Sequence, residues 1–214
     1  MDLFALPDLA YERRARSRGA RFVAGLDEVG RGPWAGPVTA CAVVLTGETP
    51  PGLTDSKKLT ARRRASMAPL LRDCAVVGLG EAGVAEIDAP NIRQATHLAM
   101  RRALDALSEA LGAEPDHLLI DGRDRPAWVD RPHDLIPRGD ARSLSVSAAS
   151  VIAKVTRDAL METLAQQHPG YGWETNRGYG TKAHVEGLKC HGVTQHHRRT
   201  FAPIRNMLWS VDRS

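Results

Sequence analysis

Hydrophobic and polar positions along the chain change period several times, and each change predicts an element. Residues 22–26 form an apolar run that predicts a first strand, and residues 38–45, rich in β-branched side chains, predict a second. Residues 47–52 carry Pro and Gly and predict a loop. Thr60 is a cap for a helix running toward Leu71, and residues 74–79 read as a third strand. Over residues 91–111 the period becomes helical: Ile92, Ala95, Leu98, Ala99, Ala103, Leu107 and Leu111 share one face, and Gly112 stops the helix. Residues 117–121 are a short apolar run ending in a carboxylate, which predicts a buried central strand. Residues 135–136 are a brief strand, followed by Arg138, Gly139 and Asp140. A second long helix is predicted over residues 145–167, stopped by His168, Pro169 and Gly170. Strands first, then alternating helices and strands, predict an α/β sandwich with a mixed sheet.

The ends are less patterned. Residues 1–20 form a polar lead-in with Arg13, Arg14, Arg16 and Arg18, read either as a short basic helix or as partly disordered. Residues 21–168 make the core. Residues 169–214 are rich in Gly, His and Arg, with one helical piece around residues 183–189, and give a small helical C-terminal region within a single domain.

Composition narrows the class. At 214 residues with 43% hydrophobic content, the chain is long enough for one domain with a real core. Its 29 basic against 25 acidic residues give a net charge of +4, a mild bias toward a polyanionic partner. Three cysteines without paired spacing predict no disulfide framework and a reducing compartment. The first residues have no secretory pattern and no stretch is apolar enough for a membrane span, so a cytoplasmic protein is the expectation; oligomeric state is open, with a monomer as the default.

The chemistry concentrates where apolar runs end in acid. Asp27 and Glu28 close the first strand, just ahead of Gly30, Arg31 and Gly32. Two adjacent carboxylates at a buried strand end are costly unless a cation binds between them, and hard divalent cations take carboxylate oxygen. The glycines supply bare backbone and Arg31 a guanidinium, suited to close approach to a phosphate. Asp121 ends the central strand and Asp140 closes Arg-Gly-Asp before a helix, where a helix-start role is the alternative. Four carboxylates there could hold two ions for phosphodiester chemistry. Neighbours on a regular strand point to opposite faces, so Glu28 is expected where the strand has given way to the Gly30 turn. Asp124, Asp130 and Asp134 lie in a polar loop and read as solvated.

The motifs Gly25-Leu-Asp-Glu-Val-Gly-Arg-Gly-Pro33, Asp55-Ser-Lys-Lys-Leu59, Leu119-Ile-Asp-Gly122, residues 147–158, Gly178-Tyr-Gly-Thr181 and His196-His-Arg-Arg-Thr-Phe201 closely resemble the type 2 ribonucleases H, specifically bacterial ribonuclease HII. The resemblance spans nearly the whole chain. It implies a ribonuclease H-like fold and hydrolysis of RNA in RNA–DNA hybrids, including single ribonucleotides in duplex DNA, with Mg2+ or Mn2+ as cofactor. It places the acidic catalytic set on Asp27, Glu28, Asp121 and Asp140, the glycine-arginine-glycine motif on Gly30, Arg31 and Gly32, and a junction-sensing tyrosine on Tyr179. Arg138 and Arg123 stand where lysine and asparagine are common in the family. The sister ribonuclease HIII carries a sizeable N-terminal domain, whereas only about 20 residues precede the first strand here.

The remaining motifs have local readings. Ser56, Lys57 and Lys58 offer a hydroxyl and two ammoniums as a phosphate clamp. Asp158, four residues from Lys154, reads as structural. The small residues Ser147, Ala148, Ala149 and Ser150 read as packing, not chemistry. Cys190, His191, His196 and His197 fit no standard zinc spacing, and residues 196–199 read as a packing and phosphate-facing segment. No persuasive peptide for binding a replication clamp is visible in the tail after Phe201, so that partner is left open.

Overall fold

A computed structural model describes residues 6–211, with side chains through Trp209, so the extreme ends of the predicted lead-in and tail lie outside it. Five strands form one sheet: β1 Val23–Val29, β2 Val38–Leu45, β3 Ala75–Ala82, β4 His117–Asp121 and β5 His133–Ile136, in the order β3-β2-β1-β4-β5. β1, β2 and β3 pair antiparallel, and β4 and β5 extend the sheet parallel to β1. The expected mixed sheet flanked by helices is what folds.

Alternation along β2 shows why it is buried on both faces. Ala40, Ala42 and Val44 face α4 (Ile92–Leu111), while Cys41 and Val43 face α5 (Leu144–Gln167) and α2 (Ala61–Asp73). α4 comes so near β3 that a Cβ on Gly80 would stand 2.3 Å from the Ala99 carbonyl oxygen. Asn91 and Ser143 cap α4 and α5, accepting the N–H groups of Gln94 and Val146, and Thr60 caps α2 through Arg63. Gly112, in the left-handed region at φ 67°, ends α4.

The lead-in is a helix, α1 (Ala10–Ser17), and it is docked. Its buried Glu12 accepts from the N–H and hydroxyl of Ser145 and the hydroxyl of Ser143, at the start of α5. A carboxylate there complements the helix dipole. α3 (Val84–Asp88), α6 (Trp173–Asn176), α7 (Lys182–His191) and α8 (Ala202–Val211) complete the fold. The last three gather with the second half of α5 around Met161, Tyr171, Trp173 and Ile204. No helix among the described residues is long and apolar enough to cross a membrane.

Candidate active site

β1 and β4 pair only as far as Leu26 and Ile120, whereas β1 runs on beside β2 through Val29. A notch opens where β4 stops, and the acidic residues border it. Carboxylate oxygens of Asp27, Glu28 and Asp121 lie within 4.8 Å of one another. The expectation that Glu28 has left the strand is corrected: it still pairs with Ala40 on β2. Asp27 and Glu28 do occupy opposite faces. Asp27 meets the Ser150 hydroxyl of α5, and Glu28 borders a cleft with Arg93 and His97 of α4. With no neighbour strand on that edge, the longer Glu28 side chain turns round it to join Asp27. The Glu28 N–H donates to Asp27 Oδ1 at 2.7 Å, fixing the first carboxylate.

Asp121 Oδ1 accepts from the Gly139 N–H at 2.6 Å, which ties the short 3-10 turn Gly139–Ala141 to the end of β4. Asp140 rides on that turn, buried, outside the tight trio. Its Oδ2 lies 3.6 Å from Lys57 Nζ.

Burial, then the neighbouring carboxylates Glu28 and Asp121, hold Asp27 well above the ordinary carboxylate range. Burial also raises Glu28, against the pull of Arg31, and raises Asp121, against hydrogen bonds from Gly139 and Gly122. Asp140 rises to about 6, by burial and by Asp55 and Asp121. Like charges gathered in a partly dry notch call for a cation. Because every donor is a carboxylate oxygen, the set fits a hard divalent ion such as magnesium or manganese.

A second cluster lies beside the first. The Trp34 N–H donates to the Gly178 carbonyl at 2.8 Å, stitching the turn after β1 to the Gly178-Tyr-Gly loop. The Tyr179 ring is 46% exposed and faces Gly32, and Gly180 is so close to Trp34 that a Cβ there would stand 2.0 Å from the indole. Arg31, half-exposed, reaches Glu28 at 3.3 Å. The predicted residues Arg31, Gly32 and Tyr179 thus form one surface next to the carboxylates, while Gly30 is buried beneath it against Arg157.

Other expectations are revised. The Ser56 hydroxyl is buried and accepts from Ser150 at 2.9 Å, so it anchors its turn to α5 and presents nothing to a phosphate. Lys57 and Lys58 on the same turn are exposed. Asp124 is held by Arg93 at 2.6 Å and by His97 at 3.0 Å, and Asp134 pairs with Arg14 and His117, so neither is simply solvated. Asp158 sits among Lys154, Arg64 and Arg177, as a structural role requires. His197 and Arg198 are fully buried, so that part of residues 196–199 does not face phosphate.

Sequence reasoning read Ser150 as packing alone and passed over Arg157. The signal for Arg157 was present: it lies four residues after Ala153 and four before Met161, on the buried stripe of α5. Ser150 reaches Asp27 from the small-residue run that packs α5 on the sheet.

Comparison with known proteins agrees with this geometry. The family profile described as Ribonuclease HII matches residues 24–204. Ribonuclease HII of Jannaschia sp. (strain CCS1) is 57% identical over 203 residues, covering 94% of this chain and 98% of that protein. The crystal structure of ribonuclease H2 from Pyrococcus horikoshii OT3 superposes with a TM-score of 0.73 at 26% identity, covering 90% of this chain and all of that one. The crystal structure of Bst-RNase HIII in complex with Mn2+ shares the fold, with a TM-score of 0.71 at 22% identity over 94% of this chain and 73% of that one. With its acidic notch, its sheet order and a family match running from β1 into α8, the chain belongs to the ribonuclease HII family and is an RNA–DNA hybrid-directed ribonuclease H.

Proposed function

We propose that the enzyme also incises duplex DNA at single misincorporated ribonucleotides, cutting on the 5′ side and leaving 3′-hydroxyl and 5′-phosphate ends. The observation that carries this reading is the adjacency of the trio Asp27, Glu28 and Asp121 to the surface made by Gly32 and Tyr179. Asp27, Glu28 and Asp121, with Asp140 alongside, would hold two Mg2+ or Mn2+ ions. Bound there, such ions supply water activation and leaving-oxygen stabilisation for an in-line displacement. The protein's own residues do the rest. Arg31 and the exposed Lys57 and Lys58 engage backbone phosphates, and the exposed Gly32 lets the strand approach the main chain. Tyr179 stacks on the sugar or base at the ribonucleotide, and the 2′-hydroxyl supplies the discrimination between RNA and DNA.

The test is an end-labelled DNA duplex holding one ribonucleotide, incubated with Mg2+, with Mn2+ and with neither. Incision on the 5′ side of the ribonucleotide, only with metal and absent from the all-DNA duplex, is expected. Cleavage of continuous hybrids with no incision at the single ribonucleotide would contradict the reading.

A further inference from the structure

Arg157 and Arg198 are both fully buried, and among the described residues neither has a carboxylate within ion-pair distance. A guanidinium without water or a counter-charge persists only where oriented dipoles replace both. Here the dipoles are main-chain carbonyls. Arg198 donates from Nη2 to Gly30 at 2.6 Å and Pro37 at 3.1 Å, from Nη1 to Arg31 at 2.9 Å, and from Nε to Gly36 at 2.9 Å. Arg157 donates from Nε to Pro37 at 3.0 Å, from Nη2 to Ala35 at 3.1 Å, and from Nη1 to Arg177 at 3.0 Å. The turn between β1 and β2 is therefore wound around two cations. Burial lowers Arg198 to about 9 and Arg157 to about 10, so both stay charged at neutral pH.

The direction of those carbonyls has a consequence for the opposite side of the same peptides. Every described peptide bond is trans, so a C=O turned inward sends the N–H of that unit outward. The inward carbonyls of Gly30 and Arg31 share their units with the N–H groups of Arg31 and Gly32. Among the described residues those two N–H groups meet no intramolecular acceptor, and both residues are exposed beside Tyr179. Gly30 is held at φ +93°, and a Cβ there would stand 2.2 Å from Arg157 Nε. The glycine is thus required by the buried arginine as well as by its own backbone.

We infer that Arg198, backed by Arg157, is a positioning residue that turns the Arg31 and Gly32 N–H groups toward the ribose-phosphate of the substrate. The inference rests on the reading that this surface meets the ribonucleotide. Neither arginine touches substrate. Each acts by fixing two donors whose displacement by about 1 Å would cost on the order of a hundredfold in rate.

Arg198→Lys keeps the charge but loses the planar fork, so one ammonium cannot satisfy the same set of carbonyls. The experiment compares wild type and Arg198→Lys in kcat and KM on a duplex with one ribonucleotide, in affinity for the all-DNA duplex without metal, and in Mn2+ affinity. The expected result is a kcat loss of roughly tenfold to a hundredfold on the single ribonucleotide, with Mn2+ and all-DNA affinities within about twofold of wild type. A folded variant that keeps kcat, or one that loses kcat, all-DNA affinity and Mn2+ affinity together, would overturn the inference. Should Arg198→Lys fail to fold by circular dichroism, Arg157→Lys is measured in the same way and the same selective loss is expected. Unfolding of both variants would make the pair purely structural and also overturn it. Failure of wild type itself on the single ribonucleotide would instead overturn the underlying reading, and the inference with it.

Discussion

The ring of Tyr179 lies against the bare α-carbon of Gly32, its Cε1 3.4 Å from where a Cβ would stand. This apposition joins two motifs that are far apart in the chain, and it makes Tyr179 a wall of the same surface that the glycine opens. If the ring places the scissile phosphate as proposed, Tyr179→Ala lowers turnover on a single embedded ribonucleotide by about a hundredfold while changing affinity far less. A continuous RNA strand binds in many registers and should suffer less. Steady-state kinetics on both substrates check this; equal losses would count against a junction-sensing role.

On the proposal that the exposed Arg31, Lys57 and Lys58 contact phosphates, substrate affinity should fall steeply with salt and vary little with sequence. Anisotropy titrations of an RNA–DNA hybrid across a salt series measure the slope. Lys57→Ala with Lys58→Ala should reduce that slope by up to about two, one for each phosphate no longer neutralised. An unchanged slope would remove both lysines from the interface.

The raised carboxylates make a stability prediction with a definite sign. A carboxyl group whose folded pKa is raised binds more protons folded than unfolded, so its contribution to stability declines as pH rises. For Asp140 the window runs from about 4 to about 6, and Asp27 titrates well above its ordinary value. Buried His184 and His197, both shifted down, work in the opposite direction over the same range. The informative quantity is therefore the difference in melting temperature between Asp27→Asn and wild type without metal. That difference should be small near pH 4 and grow toward pH 7 in favour of the variant. A pH-independent difference would contradict the assignment of repulsion at Asp27.

Much of this fold was legible because its elements advertise themselves. The residues 38–45 run is apolar on both faces and is a strand buried on both faces, and α4 shows its stripe and both of its caps. Strand ends were harder to read. β3 extends through Gly78 and Gly80, which carry no apolar signal, because α4 needs their missing side chains. β1 outlasts β4, and it is this length difference, invisible in either run alone, that lets Glu28 round the strand edge to meet Asp27. The four carboxylates could be named from the sequence, but the closeness of three and the Lys57 tether on the fourth are properties of the folded chain. Polarity misled at Ser56 and Arg198, and Arg157 went unread; their partners are a buried hydroxyl and main-chain carbonyls supplied by distant segments.

The central claim, that Asp27, Glu28 and Asp121 together hold a divalent ion, is tested most directly by titrating Mn2+ into wild type and Asp27→Asn and following free Mn2+ by electron paramagnetic resonance. Loss of this ligand should weaken binding by about a hundredfold or more, beyond the 10- to 100-fold typical of outer-shell changes, and cleavage of RNA–DNA hybrids should vanish with it. Wild-type Mn2+ affinity in a folded Asp27→Asn, or retention of more than about a tenth of wild-type turnover, equivalent to less than about 1.4 kcal/mol of transition-state stabilisation, would contradict the account.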